Sequence, residues 1–331
     1  MADGLTLAIT MGDPLGIGPE VVLKALDHGL PDGVGALLVG SASVLGAEAR
    51  SLGLTPPPTV SDPADAPPVA VLDLRNYSPR PDAPRGPDPN AGRAAVDYIE
   101  TAVQLVLDQR ADAIVTGPIS KEAIQAAGSP FPGHTEMLAS LTGTLHPLML
   151  MLGGRLRVAL VTTHMALAEV PGAVHPDAIV ETARILDDGL RRYWAVERPR
   201  VALCGLNPHC GDGGRFGDEE ARVLAPAVAR ASELGVGLEG PFPADSLFSR
   251  AAGGEFDAVI ALYHDQGLIP VKLAGLSRVV NVTLGLPVIR TSVGHGTAFG
   301  IAGTGRADEG SMVAAIGTAV AMARAVHGHR A

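Results

Sequence analysis

Histidine and lysine recur at one kind of place along this chain, directly after short apolar runs. His164 follows Val158–Thr163, Asn207-Pro208-His209 follows Val201–Leu206, and His264-Asp265-Gln266-Gly267 follows Val259–Tyr263. Gly117-Pro118-Ile119-Ser120-Lys121 follows Ala113–Thr116 in the same way. If the runs are strands of an open α/β sheet, these residues stand beyond the carboxyl ends, where such sheets bind ligands. Three neutral imidazoles plus an open position suit Zn²⁺ or another divalent ion. The three are far apart in sequence, so each could instead be a satisfied structural histidine. Asp245 and Asp265 could ligate too, or accept a hydrogen bond from an imidazole N–H. Asp245 also has the setting of a helix N-cap.

Other residues suit an anion. His134-Thr135-Glu136 follows Gly133 and opens a predicted helix, whose free N–H groups would face a negative ligand. Thr135 as the helix cap is the structural alternative. Arg290, after Leu286-Pro287-Val288-Ile289, carries the planar fork that grips phosphate or carboxylate, unless it is a plain surface arginine. His295-Gly296-Thr297-Ala298 lies in the glycine-rich stretch Gly294–Gly305, which would let backbone approach a cofactor. Cys210, beside His209, reads as an inert thiol. No Gly-x-Gly-x-x-Gly fingerprint follows a strand, and neither a Walker lysine nor a Gly-x-Ser-x-Gly elbow is present. The residues by themselves point to a metal site near cationic groups and do not reveal a nicotinamide cofactor.

At 331 residues the chain is long enough for two α/β domains or one large one. A 47% hydrophobic fraction against 18% charged marks a globular protein, and with 3% aromatics its core must rest on Ala, Val, Leu and Ile. The net charge of −10, without a basic run, argues against nucleic acid. Cys204 and Cys210 make no disulfide framework. The start Met1-Ala2-Asp3-Gly4 lacks a secretory signal, and the apolar stretch Met312–Ala323 is too short to span a bilayer. No membrane association and a cytoplasmic location are therefore expected. Of the 25 basic residues only Lys24, Lys121 and Lys272 are lysines. If Arg replaces Lys wherever either serves, the survivors stand where a compact ammonium is needed. Lys121 and Lys272 lie inside the motifs, whereas Lys24 reads as a helix surface residue.

These groups need strands and helices to place them. Leu5–Thr10 reads as a strand running through Met11-Gly12-Asp13-Pro14-Leu15-Gly16-Ile17-Gly18-Pro19-Glu20 into a helix, with Pro19 in its first turn. Residues 53–90 hold eleven of the 27 prolines and read as an irregular excursion with one strand at Val69–Leu74. Helices are predicted over Gly92–Arg110, Lys121–Ala127, Ala178–Trp194, residues 218–234 and 309–326. Leu148–Leu152 and Leu156–Thr162 flank Gly153-Gly154 as a β-hairpin. Strands are predicted at Ala113–Thr116, Val201–Leu206, Phe256–Tyr263 and Val279–Leu284. The alternation argues for α/β with a mixed sheet.

Placed in order, the motifs resemble the 4-hydroxythreonine-4-phosphate dehydrogenase family. The match is carried by Met11-Gly12-Asp13-Pro14 with Gly16-Ile17-Gly18-Pro19-Glu20, Gly117–Glu122, Gly133-His134-Thr135-Glu136 and Gly205-Leu206-Asn207-Pro208-His209. Pro243-Ala244-Asp245, Tyr263–Gly267, Val280–Pro287 and Ile289-Arg290-Thr291-Ser292 complete it over nearly the whole chain. The resemblance implies a two-lobed α/β fold like the isocitrate and isopropylmalate dehydrogenases, with α/β/α lobes and a cleft between them. The lobes would be residues 1–130 plus 285–331, and residues 131–284. It implies a homodimer with active sites at the subunit interface.

The implied reaction is NAD-dependent oxidation of 4-(phosphooxy)-L-threonine at C3, then loss of CO₂ to give 3-amino-2-oxopropyl phosphate for pyridoxal 5′-phosphate synthesis. NADP is a possible substitute cofactor. By this resemblance His164, His209 and His264 bind a divalent metal (Zn, Mg, Co or Mn), and His134, Thr135, Lys272, Asn281 and Arg290 contact the substrate. Lys272, Asp245 and Asp265 are the catalytic candidates. Gly285, Leu286, His295, Gly296 and Thr297 are the cofactor candidates. Two departures stand out: Gly294 where the family often has an acid, and Cys210-Gly211-Asp212 where it usually has Ala-Gly-Glu. A dehydrogenase of 4-phospho-D-threonate or 4-phospho-D-erythronate is the nearest alternative, and a metal-dependent hydrolase a remote one.

Overall fold

The structure, a computed structural model, describes residues 4–63, 66–78 and 84–328. Its strands are β1 Leu5–Thr10, β2 Val34–Gly40, β3 Thr59–Val60, β4 Val69–Asp73, β5 Ala113–Thr116, β6 Leu148–Gly153, β7 Leu156–Leu160, β8 Val201–Cys204, β9 Leu238–Phe242, β10 Ala258–Ala261, β11 Val280–Leu284 and β12 Ile289–Val293. They belong to two units, Met1–Pro147 with Leu286–Ala331, and Leu148–Gly285. Residues 131–147, expected in the second lobe, lie in the first unit.

In the first unit the strand order is β3-β4-β2-β1-β5-β12, parallel throughout. Parallel strands are covered on both faces, so they read as unbroken apolar runs. β12 is buried at all five positions. Helix Pro89–Leu107 packs on β1, β2 and β5, and helix Gly310–Gly328 on β1, β5 and β12. Asp88 starts the former by accepting the N–H groups of Asn90 and Ala91, with Pro89 in its first turn. Gly310–Gly328 is the one described helix long and apolar enough to cross a membrane. Met312, Ala315, Ile316, Ala319 and Val320 are buried, as in a core helix. The apolar stretch Met312–Ala323 is thus part of a 19-residue helix.

In the second unit the order is β11-β6-β7-β10-β8-β9. β6 runs antiparallel to β7 and β11, whereas β7, β10, β8 and β9 are mutually parallel. The predicted hairpin turns at Gly153-Gly154, where Gly154 has φ +58. Its core joins Val158, Leu160, Ala202, Cys204, Val259 and Leu268. The antiparallel β6 makes the sheet mixed, as expected.

Several elements differ from the sequence expectations. β2 and helix Ala42–Ser51 occupy a stretch left unassigned. β12 includes Arg290, so the apolar run before it is the approach to a strand. His264 opens helix His264–Gly275, which contains Lys272 and an interior Pro270.

Candidate active site

β7, β10 and β8 are adjacent and parallel, so their carboxyl ends share one edge of the second unit's sheet. His164, His264 and His209 follow those three ends. Pairing continues past β7 and β10, because the N–H groups of Val161 and Thr162 donate to Ala261 and Leu262 carbonyls at 2.9 and 3.2 Å. This brings the His164 and His264 rings to 5.5 Å between centroids. They line a cavity of about 780 Å³ with Thr163, Met165, Tyr263 and Asp265.

The His264-Asp265-Gln266-Gly267 run divides its work by residue. His264 Nδ1 lies 2.7 Å from Asp265 Oδ1, a contact that orients the ring and leaves Nε2 available to a ligand. Gln266 Oε1 accepts the Leu262 N–H at 2.7 Å, while its Nε2 donates to the Gly205 carbonyl at 2.8 Å. It thereby staples the β10 and β8 ends. At Gly267 a Cβ would sit 2.7 Å from a Leu160 methyl and 3.1 Å from the Ala261 Cβ, so glycine suits the close approach of this helix to the sheet.

His209 sits on a left-handed run: His209 φ 53, Cys210 φ 55, Gly211 φ 80, Asp212 φ 44. Such conformations cost L-residues about 1–3 kcal/mol each and persist only where the surroundings impose them. Buried Glu220 anchors the approach to this run, accepting the Leu206 and Asn207 N–H groups at 2.9 and 2.7 Å. It lies on a π-helical turn, Glu220–Leu224, an irregularity common at functional sites. Sequence inspection passed over Glu220, because a glutamate inside a helical pattern reads as surface. Burial, then the charges of Glu220 and Asp245, push the Cys210 thiol up, which supports the inert reading. Asp245 is the second residue of helix Ala244–Ala252 and is not its N-cap, a place Pro243 takes.

Among the described residues no group of three or more His, Cys, Asp or Glu stands close enough to hold a metal ion. The donor set nevertheless fits a borderline divalent ion: imidazoles at adjacent strand ends, with a carboxylate orienting one of them. In the same unit Lys272 is exposed, and the buried Asn281 Oδ1 on β11 has no hydrogen-bond partner.

The first unit holds the anion-suited residues. The carboxyl ends of β1 and β5 are stitched by Asp13 N–H to Pro118 O at 2.9 Å and Gly117 N–H to Thr10 O at 3.0 Å. Gly12, φ +75, is pressed on this stitch: a Cβ would lie 2.4 Å from Pro118 O. Arg290 is 1% exposed, so it is no surface arginine. Its guanidinium donates to Thr116 Oγ1 at 2.7 Å. Burial pushes it down to about 9, which leaves it charged at neutral pH.

His134 opens helix His134–Thr142, whose cap is Gly133 and not Thr135. Burial, with the charges of Arg290 and Lys121, holds His134 well below the usual imidazole range. Its Nε2 is buried without a partner. A neutral imidazole beside a buried guanidinium offers one N–H and one full charge to an anion. Of the cofactor candidates, His295 and Gly296 are exposed and Thr297 half-buried, while Gly285 is exposed and Leu286 buried. A Cβ at Gly296 or Gly300 would meet nothing within 4 Å, so the backbone there is unobstructed.

An α/β chain with imidazoles at adjacent strand ends and a buried arginine within another strand has the makings of a ligand-binding enzyme of the open-sheet class. Residues 34–319 match the family model described as pyridoxal phosphate biosynthetic protein PdxA, and the chain belongs to that family. It is 46% identical over 320 residues, 95% of each chain, to the 4-hydroxythreonine-4-phosphate dehydrogenase of Desulfosudis oleivorans. It is 43% identical, over 94% of each chain, to a Bradyrhizobium diazoefficiens protein provisionally named a D-threonate 4-phosphate dehydrogenase. The crystal structure of 4-hydroxythreonine-4-phosphate dehydrogenase from Klebsiella pneumoniae superposes with a TM-score of 0.86 at 41% identity, covering 97% of this chain and 99% of that one.

Proposed function

We propose that this chain is a cytoplasmic, divalent-metal-dependent dehydrogenase that uses NAD, with NADP as the lesser alternative. Its substrate is 4-(phosphooxy)-L-threonine, oxidised at C3 and then decarboxylated to 3-amino-2-oxopropyl phosphate for pyridoxal 5′-phosphate synthesis. The observation that carries the chemistry is the adjacency of the β7, β10 and β8 carboxyl ends, each followed by a histidine. The relatives' names supply the substrate.

His164, His209 and His264 would hold the ion, with Asp265 fixing the His264 tautomer and Asp245 serving as a nearby acceptor. The bound groups supply hydride acceptance and Lewis acidity at the C3 oxygen. Arg290 grips an anionic group of the substrate, and neutral His134 with Thr135 donates beside it. The unpartnered Asn281 Oδ1 accepts from a substrate N–H or O–H. Lys272 handles the protons: one leaves the C3 hydroxyl as hydride departs, and one arrives at C2 as CO₂ is lost. Gly285, Leu286, His295, Gly296 and Thr297 border the cofactor.

The working form is a homodimer with its active sites at the subunit interface. Ile269, Leu273 and Leu276, on and just after the Lys272 helix, are 57, 73 and 80% exposed, an apolar face suited to a second copy. NADH formation from NAD⁺ and 4-(phosphooxy)-L-threonine, with and without chelator, tests the proposal. The Bradyrhizobium relative favours 4-phospho-D-threonate as the second reading, and assaying both substrates in parallel separates them.

A further inference from the structure

The glycine-rich segment after β12 is fastened along one face of the first helix, Gly18–Asp27. Ile17 at its cap, then Glu20, Lys24 and His28, are spaced three, four and four residues apart, so they share a face. Each holds the segment 294–309. Ile17 N–H donates to Thr297 O at 2.9 Å. Buried Glu20 accepts the Ala307 N–H at 2.7 Å and Lys24 Nζ at 2.8 Å through the same Oε1. Lys24 Nζ also donates to the Gly305 and Ala307 carbonyls, both at 2.8 Å. His28 Nε2 lies 3.0 Å from Glu309 Oε1. The fastened segment contains Ala298 at φ 42, Gly303 at φ 74 and Gly305 at φ 72, left-handed conformations that a free loop would sample among many others.

Lys24 is therefore no simple helix surface residue. An ammonium has three donors, and here all three are engaged at 2.8 Å. A planar guanidinium cannot direct its N–H groups to three acceptors around one point. That accounts for a lysine at this position in a chain whose basic residues are mostly arginine.

We propose that this helix face is a rail that sets the shape of the cofactor-binding loop, and that Lys24 and Glu20 are positioning residues for the nicotinamide dinucleotide. The inference rests on the reading of residues 295–297 as cofactor contacts. The rail fixes Thr297 at one end and 305–309 at the other. Between and beside these anchors lie Gly300 and Gly296, the backbone positions with open space where a Cβ would be.

The test compares wild type with Lys24→Met, Lys24→Arg and Glu20→Gln in the full-length protein, by amide hydrogen exchange with and without NADH and by steady-state kinetics. NADH is expected to slow exchange across 294–309 in wild type. In the variants the free loop should exchange faster and KM for NAD⁺ should rise about tenfold, the size of one charge-assisted hydrogen bond diverted to reordering the loop. Saturating NAD⁺ should restore kcat to within about threefold, and KM for the phosphorylated substrate should not move, since uniform ground-state binding alone is lost. Lys24→Arg should fail to rescue. Lowered thermal stability with an unchanged KM for NAD⁺ would overturn the inference and leave Lys24 a structural clamp. Absence of NADH protection in wild type would remove the cofactor-loop reading, and the positioning role with it. Should Lys24→Met not fold, Lys24→Arg and Glu20→Gln carry the comparison.

Discussion

Lys24, Lys121 and Lys272 occupy three different settings. Lys24 is consumed by main-chain carbonyls and a carboxylate. Lys121 starts helix Lys121–Ala126, and its charge helps keep His134 neutral. Lys272 stands exposed on the helix that His264 opens, free to reach a ligand. If Lys272 contributed charge alone, Lys272→Arg would keep most activity. It is instead expected to fail nearly as badly as Lys272→Ala, with kcat down by about 10²–10⁴-fold, because a guanidinium does not transfer its proton near neutral pH. Rates for both variants decide it, and a Lys272→Arg enzyme within a few-fold of wild type would leave charge as the whole contribution.

Asp13 makes a second residue-scale case. Its carboxyl is fully buried. Oδ1 accepts the Leu15 N–H at 2.9 Å, while Oδ2 has no partner. Burial, then the charge of Asp88, pushes it up to about 6 from 3.8 against the opposing backbone bonds. Between those values the folded state binds more protons than the unfolded one, so stability falls as pH rises through that window. Above pH 6 the destabilisation is on the order of 3 kcal/mol. Asp13→Asn is expected to raise the melting temperature at pH 8 and to flatten the slope between pH 4 and 6. A lower melting temperature at pH 8 would contradict this. That His164, His209 and His264 follow strand ends was legible in the sequence, because apolar runs mark the strands. The burial of Arg290 and Asp13 was not, since side-chain type alone cannot report an environment.

At the scale of elements, helix Pro89–Leu107 meets helix Lys121–Ala126 through Gly92. A Cβ there would lie 2.2 Å from the Ala123 carbonyl oxygen, and backbone has nowhere to go. Overpacking costs about 1–3 kcal/mol, against the ~1 kcal/mol alanine gains over glycine within a helix. Gly92→Ala should therefore lower the melting temperature, and a neutral or raised value would show that the two helices can separate without loss. Apolar patterning placed β5 to the residue, the hairpin strands within two residues and helix Pro89–Leu107 within three at each end. It missed β2, whose Val-Gly-Ala-Leu-Leu-Val-Gly run has neither alternation nor helical period, as befits a strand buried on both faces. It also missed His264–Gly275, because Pro270 argues against a helix interior and tertiary packing overrules it.

At the scale of the molecule, each unit carries part of the proposed chemistry, metal-suited histidines on one and the arginine–histidine cradle on the other. The homodimer reading makes activity depend on association. Charging the exposed apolar face with Leu273→Glu should shift the protein toward monomer and reduce turnover together, and a monomer with wild-type turnover across dilution would refute the shared site. The central claim is tested most directly by following NADH absorbance in a demetallated sample given NAD⁺ and 4-(phosphooxy)-L-threonine, before and after adding Zn²⁺, Co²⁺, Mn²⁺ or Mg²⁺. The account predicts no NADH until metal is restored, then NADH and CO₂ in equal amounts. Full turnover without metal, or none with it while 4-phospho-D-threonate is oxidised, would contradict it.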